Sequence, residues 1–506
     1  MAASRHDLPK LYRSDAVRAA ERAAMARFGL DEDDLMARAG LAAWRLLLDR
    51  WPQAQRIGVL CGPGNNGGDG YVVAALARAS GRHVFVVRLG DAAKPGAAQR
   101  AADACAQAGG DIAAFRRDGA LPEVDVWVDA MFGIGLHRGL EGDARDLVVA
   151  LRHGDATPVL SLDVPSGVDA DTGDDHDLSI RATVTLTFIA GKPGLFTGRG
   201  RVAAGEVAID TLGLADRIFD DLEPAAVRLS PSALAQWWSP RARDAHKGRF
   251  GRVLCIGGDH GFGGALALCA EAAHRTGAGL VSAATRAEHI SPLLSRHPET
   301  MARAVDDAAA LAPMLAQASV VAIGPGLGTG AWGRTMLDAA LAAPLPSVLD
   351  ADALNLLALS GRIPGCDALH RAVLTPHPGE GARLLGAEVA DVERDRLGSA
   401  RRLAERTGSV VVWKGPGSVI AAPGAIPAIV DAGNPGMASG GMGDVLTGVV
   451  AAAIAQGLSA FDAAQCGALL HAAAGDAAAR DGGERGLLAS DLSPHLRRLA
   501  NPEPAA

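Results

Sequence analysis

Three groups of residues in the first half of the sequence have types and spacings suited to chemistry. The run Gly62-Pro63-Gly64-Asn65-Asn66-Gly67-Gly68-Asp69-Gly70 sets two amides and a carboxylate among glycines, directly after the apolar RIGVLC and before YVVAALARA. Glycines this dense let backbone N–H groups approach an anion at a helix start. A simple turn would explain the glycines but not the paired amides, which bring both donors and acceptors. Asp129 is followed by Ala130-Met131-Phe132-Gly133-Ile134-Gly135-Leu136-His137-Arg138-Gly139, and Asp163 by Val164-Pro165-Ser166-Gly167-Val168-Asp169. Either aspartate alone would serve as a cap. Two carboxylates at the tips of successive strands repel one another unless a cation or a shared proton intervenes, so the pair predicts ion binding together with acid–base work.

The second half carries a different chemistry. Asn434-Pro435-Gly436-Met437-Ala438-Ser439-Gly440-Gly441-Met442-Gly443-Asp444 runs into the apolar VVAAAIAQG. Glycines before a helix make an anion hole for a moving phosphoryl group, and the adjacent Asp444 is placed to take a proton from a hydroxyl. A plain helix cap needs no such cluster. Around this element stand Gly257-Gly258-Asp259-His260-Gly261-Phe262-Gly263-Gly264-Ala265, Gly324-Pro325-Gly326, Leu349-Asp350-Ala351-Asp352, Thr375-Pro376-His377-Pro378-Gly379-Glu380 and Trp413-Lys414-Gly415-Pro416-Gly417-Ser418. His377 alone would more often be structural than a ligand; its flanking prolines and Glu380 raise its standing.

These motifs need elements to hold them. Short β-branched runs from Arg56, His83, Val124 and Pro158 alternate with Ala-rich stretches of helical period, and the pattern restarts after residue 240 with GRVLCIGG, SVVAIGPG, SVLDAD, AVLTPHPGE and SVVVWKG. Such alternation predicts two α/β domains built on parallel sheets, with ligands at the carboxyl ends of the strands. The expected boundaries are a first domain over 1–220, a linker and entry over 221–245 that loses the strand pattern, and a second domain over 246–500. The opening thirty residues lack a continuous apolar stretch and predict a helix rather than a targeting segment. No run of apolar residues is long enough to span a membrane.

Bulk properties agree with small-molecule chemistry. The 506 residues exceed what one core organises, and 49% are hydrophobic, 21% charged and 4% aromatic, with 63 glycines. A net charge of −8 gives no basic field for nucleic acid. Six cysteines (Cys61, Cys105, Cys255, Cys269, Cys366, Cys466) form no CxxC pair and read as reduced, buried small residues. The terminal NPEPAA reads as frayed. The expected location is the cytoplasm, and a homo-oligomer stays open.

GNNGGDG, DAMFGIGL and LDVPSGVD, in this order, resemble the NAD(P)H-hydrate epimerase family over about residues 10–215. The resemblance implies a Rossmann-like three-layer αβα domain in which Asn66, Asp129 and Ser166 help hold K⁺. It further implies that Asn65, Asn66, Gly67, Gly68, Asp69, the loop Gly133, Ile134, Gly135, Leu136, His137, Arg138, Gly139, and Asp163 contact the hydrated nicotinamide nucleotide, with Asp163 as acid–base residue. GMGD resembles the GxGD element of ribokinase-like enzymes, and the surrounding motifs resemble ADP/ATP-dependent NAD(P)H-hydrate dehydratases over about residues 240–495. This implies a ribokinase-like α/β domain in which Lys414, Gly415, Pro416, Gly417, Ser418 and Gly443 contact ADP, and Ala265, Gly326, His377 and Asp444 contact the hydrate. Mg²⁺ would accompany the ADP phosphates. Ser418 stands where Thr is common, and Met442 fills the variable slot of GxGD. The implied partners are the two hydrates, NADHX and NADPHX, and ADP. Two other readings stay open: a ribokinase-like vitamin or small-molecule kinase, and a first half that is a nucleotide-binding regulatory module without catalysis.

Overall fold

A computed structural model describes residues 8–90, 93–109, 111–117, 119–152, 157–361 and 367–501. Cys366 and the terminal tail after Asn501 lie outside the described residues; the other five cysteines are free and buried. The chain divides into two compact units, with Lys10–Ala226 forming one and Val227–Ala506 the bulk of the other.

The first unit is built on a seven-stranded sheet in the order Ile112–Ala114, His83–Arg88, Arg56–Cys61, Val126–Ala130, Val159–Leu162, Val184–Phe188, Glu206–Asp210. Every pairing in it is parallel. Because the chain moves outward from Arg56–Cys61 first one way and then the other, the order reverses between that strand and Val126–Ala130. Loops leaving the two strands therefore diverge and open a crevice at their carboxyl ends. Ile57, Val59, Val126, Val128, Leu160 and Leu162 join helix residues such as Val17, Leu47 and Val73 in one buried cluster.

The second unit repeats this logic in a larger sheet. Its parallel run is Met301–Ala304, Leu280–Thr285, Arg252–Ile256, Val320–Ile323, Ser347–Leu349, Ala372–Leu374, Val410–Trp413, continued antiparallel by Val419–Ala421 and Ala428–Val430. The reversal falls between Arg252–Ile256 and Val320–Ile323. Helices Gly263–Thr276, Met442–Ala455 and Ala460–Gly482 cover it, and their alanines and small apolar residues form a large share of the core.

Two sequence expectations need correction. The stretch 221–245, read as a linker without strands, contains the strand Ala226–Leu229, which pairs parallel with Ala428–Val430. AVRL was too short and too close to Pro224 to show a period. The second correction concerns Asn65–Gly70, read as a loop before a helix; the helix begins at Asn65 itself and runs to Ala79. Its glycines serve close approach rather than unusual dihedrals, since a Cβ on Gly67 would lie 1.9 Å from the carbonyl oxygen of Gly62. The predicted N-terminal helix is present as Ser14–Phe28. Among the described residues no helix is long and apolar enough to cross a membrane.

Candidate active sites

The first crevice is centred on Asp163, which follows strand Val159–Leu162 with φ +64°. A non-glycine residue held in this region is strained and needs support from its surroundings. That support is visible. Its N–H donates to the Leu186 carbonyl at 2.7 Å. Lys192 Nζ donates to Asp163 Oδ1 at 2.6 Å, and the Ile134 N–H donates to Oδ2 at 3.1 Å. Lys192 is fully buried, and its ammonium also donates to Thr187 Oγ1 at 2.7 Å and to the Phe188 carbonyl at 2.8 Å. All three protons are thus engaged, as a buried ammonium requires. A Cβ on Gly133 would sit 2.7 Å from Asp163 Oδ2 and 3.5 Å from Asn66 Cγ, so the bare glycine lets the loop, the amide and the carboxylate converge.

Asp129 does a different job. It is completely buried and accepts four hydrogen bonds: from Ser166 Oγ at 2.6 Å, Ser166 N–H at 2.8 Å, Ser161 Oγ at 2.9 Å and Met131 N–H at 3.3 Å. Burial raises its pKa, and these donors oppose the rise without cancelling it. The two aspartates therefore share no proton with each other; each has its own donors. Ser166 Oγ also accepts from the Phe132 N–H at 3.0 Å, tying Asp129 and Ser166 to the loop that reaches Asp163. Asn66 keeps both amide heteroatoms buried with no hydrogen-bond partner. A buried amide left idle costs free energy, and a ligand would redeem it.

Of the remaining expected contacts, Gly67, Gly68 and Asp69 are buried in the first turns of the helix, and Asn65 is exposed at its tip. Gly133 and Ile134 reach Asp163. Gly135 lies beside Arg18, and Leu136 packs in a small apolar cluster with Met131 and Leu140. His137 turns to Asp169, with 2.9 Å between Nδ1 and Oδ2, Gly139 neighbours His176, and Arg138 is exposed. Lys192 was missed in the motif reading. Its signal was available: it is the single charged residue between Arg181 and Arg199.

The second crevice assembles from five strand ends. Gly326, at φ +58°, would bring a Cβ within 2.6 Å of the Phe262 carbonyl oxygen and 3.3 Å of the Ala265 side chain, so these two expected substrate positions are neighbours. Lys414 Nζ donates to Asp350 Oδ1 at 2.7 Å, and Thr447 Oγ1 donates to Oδ2 at 2.9 Å. A Cβ on Gly443 would meet Lys414 Nζ at 3.1 Å and Asp350 Oδ2 at 3.3 Å. Helix Met442–Ala455 starts behind Gly441, placing Asp444 in its first turn with the free N–H groups. His377 caps helix Pro378–Leu385, its Nδ1 accepting from Gly379 N–H at 3.0 Å, while Glu380 Oε2 accepts from the His377 N–H at 2.8 Å. Glu380 in turn lies 3.8 Å from Lys414 Nζ. His377 is therefore a helix cap at the crevice edge. Gly415 and Pro416 are exposed, and Ser418 Oγ donates to the Gly415 carbonyl at 3.1 Å. Asp350, Thr447 and Glu380 had no assigned role in the motif reading, and the topology brings them in.

Electrostatics separates the carboxyl groups here. Burial presses Asp350 upward, but the Lys414 charge and the hydrogen bonds from Lys414, Thr375 and Thr447 carry it below its usual range. Asp444 lacks such donors; burial and the charges of Asp350 and Asp352 outweigh Lys414 and push it up to about 7. Environments that drive neighbouring carboxyl groups apart are how acid–base roles are divided. Burial, followed by the Lys414 charge, lowers His377.

An order reversal beneath an amide–carboxylate crevice, followed by a glycine-capped helix carrying an aspartate poised near neutrality, defines a two-unit α/β enzyme, Rossmann-like first and ribokinase-like second. The second unit is similar to a ribokinase-like superfamily protein from Enterococcus faecalis V583, with 30% identity, a TM-score of 0.51, and coverage of 55% of this chain and 98% of that one. A family model described as NAD(P)H-hydrate dehydratase matches residues 253–498, and one described as YjeF-related protein N-terminus matches residues 32–194. The bifunctional NAD(P)H-hydrate repair enzyme Nnr of Coxiella burnetii is 45% identical over 493 residues, covering 97% of this chain and 99% of its own. That of Escherichia coli K12 is 46% identical over 492 residues, covering 97% and 94%. The chain belongs to the family of bifunctional NAD(P)H-hydrate repair enzymes.

Proposed function

We propose that Asp163 and Asp444 carry the two reactions of this repair enzyme, epimerisation of the hydrate in the first unit and its nucleotide-driven dehydration in the second. The damaged carbon, C6 of the ring, bears a hydroxyl and is bonded to the ring nitrogen. Asp163 takes the hydroxyl proton, the C6–N bond opens to a carbonyl as its electron pair and a proton go to the ring nitrogen to give an enamine, and closure on the other carbonyl face, with both protons returned, inverts the centre. The Lys192 and Ile134 hydrogen bonds hold the carboxylate in place for this transfer.

Asn66, Asp129 and Ser166 suit K⁺, because a weakly hydrated cation accepts mixed amide, carboxylate and hydroxyl oxygens. The uncommitted Asn66 Oδ1 is the observation that supports it. The ion would supply fixed positive charge for the anionic substrate.

In the second unit hydroxide is a poor leaving group, so the hydroxyl is first phosphorylated. Asp444 takes its proton as the oxygen attacks the terminal phosphorus of ADP, releasing AMP; loss of phosphate with the C5 proton then restores the ring double bond. Lys414 through Ser418 and Gly443 receive the nucleotide; Ala265, Gly326, His377 and Asp444 line the hydrate side. Among the described residues no cluster of three or more acidic, His or Cys side chains forms a metal cage. A Mg²⁺ ion here would be borne mainly by the nucleotide phosphates and water.

The single observation that carries this reading is Asp444 at a glycine-capped helix start, raised to about 7 beside Lys414. The test is to incubate the purified chain with hydrated NADH, Mg²⁺ and either ADP, ATP or no nucleotide. Recovery of NADH with ADP and formation of AMP are expected. Recovery with ATP alone would overturn the choice of ADP. Accumulation of a stable phosphorylated product would favour a small-molecule kinase.

A further inference from the structure

Ring opening needs two proton carriers: one takes the hydroxyl proton, and the other gives a proton to the departing ring nitrogen. Asp163 supplies the first. Helix Ser14–Phe28, which precedes the residues matched by the family model, supplies a second carboxyl group. Arg18 Nη2 donates to the Ile134 carbonyl at 3.2 Å, and the N–H of the same Ile134 donates to Asp163, so the helix lies against the loop that bounds the crevice. Glu21, three residues on, shares that helix face.

Glu21 is partly buried, and among the described residues no hydrogen bond or ion pair engages its carboxyl group. Burial raises its pKa, the Asp163 charge raises it further, and Lys192, Arg18 and Arg22 pull it back only in part. Asp69 is the other acid here, nine-tenths buried and also without a partner, and is raised well above its usual value by burial, Asp163 and Glu21. A partly buried carboxyl group with no structural partner, on the helix face that meets the loop bonded to Asp163, is placed to exchange a proton at this crevice.

We propose that Glu21 is a catalytic residue of the epimerase, the general acid that protonates the ring nitrogen as Asp163 deprotonates the C6 hydroxyl. This rests on the epimerase reading of the first crevice. The step balances: the hydroxyl proton goes to Asp163, the C6–N electron pair goes to nitrogen, and the Glu21 proton completes the N–H. On closure from the opposite carbonyl face each proton returns to its donor. Asp69 is nine-tenths buried in the first turns of helix Asn65–Ala79, whereas Glu21 is only partly buried and so better placed to exchange a proton.

The test measures conversion of pure (R)-hydrate to (S)-hydrate by the full chain without nucleotide, as a function of pH. The wild type loses rate on the alkaline side as Glu21 gives up its proton. Glu21→Gln lowers kcat about a hundredfold, leaves KM close to the wild-type value, and removes the alkaline limb. Glu21→Ala is rescued by added formate, which a packing role would not allow. A Glu21→Gln enzyme with the wild-type rate or an unchanged alkaline limb overturns the proposal, as does removal of that limb by Asp69→Asn alone. If Glu21→Gln melts early, formate rescue of Glu21→Ala decides, and absence of rescue overturns it. A wild type that never interconverts the epimers would instead defeat the epimerase reading itself.

Discussion

At the scale of single residues, each crevice uses a lysine to keep a carboxylate fixed. Lys192 does so for Asp163 and Lys414 for Asp350. Removing one partner of a buried pair leaves an uncompensated charge, so Lys192→Met should destabilise the first unit by about 3–5 kcal/mol, read by chemical denaturation. Asp163→Asn should abolish epimer interconversion while (S)-hydrate is still dehydrated at the wild-type rate; an NMR time course on each epimer checks both. Asp444 acts as a base only when ionised. With its pKa at about 7, dehydratase kcat/KM should rise as pH passes upward through that value, and Asp444→Ala should lower turnover by several orders of magnitude at every pH. A flat pH profile would move the base elsewhere.

At the scale of elements, the crevices depend on how closely backbones approach. The start of helix Asn65–Ala79 lies against the turn after Arg56–Cys61 so tightly that Gly67→Ala would drive a Cβ into the Gly62 carbonyl. We expect a loss of about 1–3 kcal/mol from overpacking and a fall in epimerase activity, with dehydration of (S)-hydrate unchanged; thermal melts beside both assays decide it. The same elements show why some of the structure was legible and some was not. Runs such as RIGVLC and SVVVWKG announced strands because β-branched residues stood between clear glycine breaks. Val184–Phe188 escaped notice although wholly buried, because its threonines mimic the polar alternation of a surface strand. Asp163, Asp129 and Asp444 were visible because each closes or opens an element beside glycines. Lys192, Glu21 and Thr447 were not singled out, because their roles arise from what the topology places opposite them, and Glu21 sits in a helix whose sequence carries no glycine signal.

At the scale of the whole molecule, two activities on one chain are useful because dehydration uses one hydrate epimer and epimerisation converts the other into it. Each unit has its own core and order reversal, so damage to one crevice should leave the other working. The central claim is that this one chain repairs both epimers, and the most direct measurement gives it an equilibrated mixture of hydrated NADH with K⁺, Mg²⁺ and ADP and follows return of the dihydronicotinamide absorbance. The account predicts that wild type recovers the whole mixture in one rapid phase, whereas Asp163→Asn recovers the (S) fraction rapidly and then slows to the uncatalysed rate of epimer exchange. Recovery of the full mixture by Asp163→Asn at the wild-type rate, or no recovery by the wild type, would contradict it.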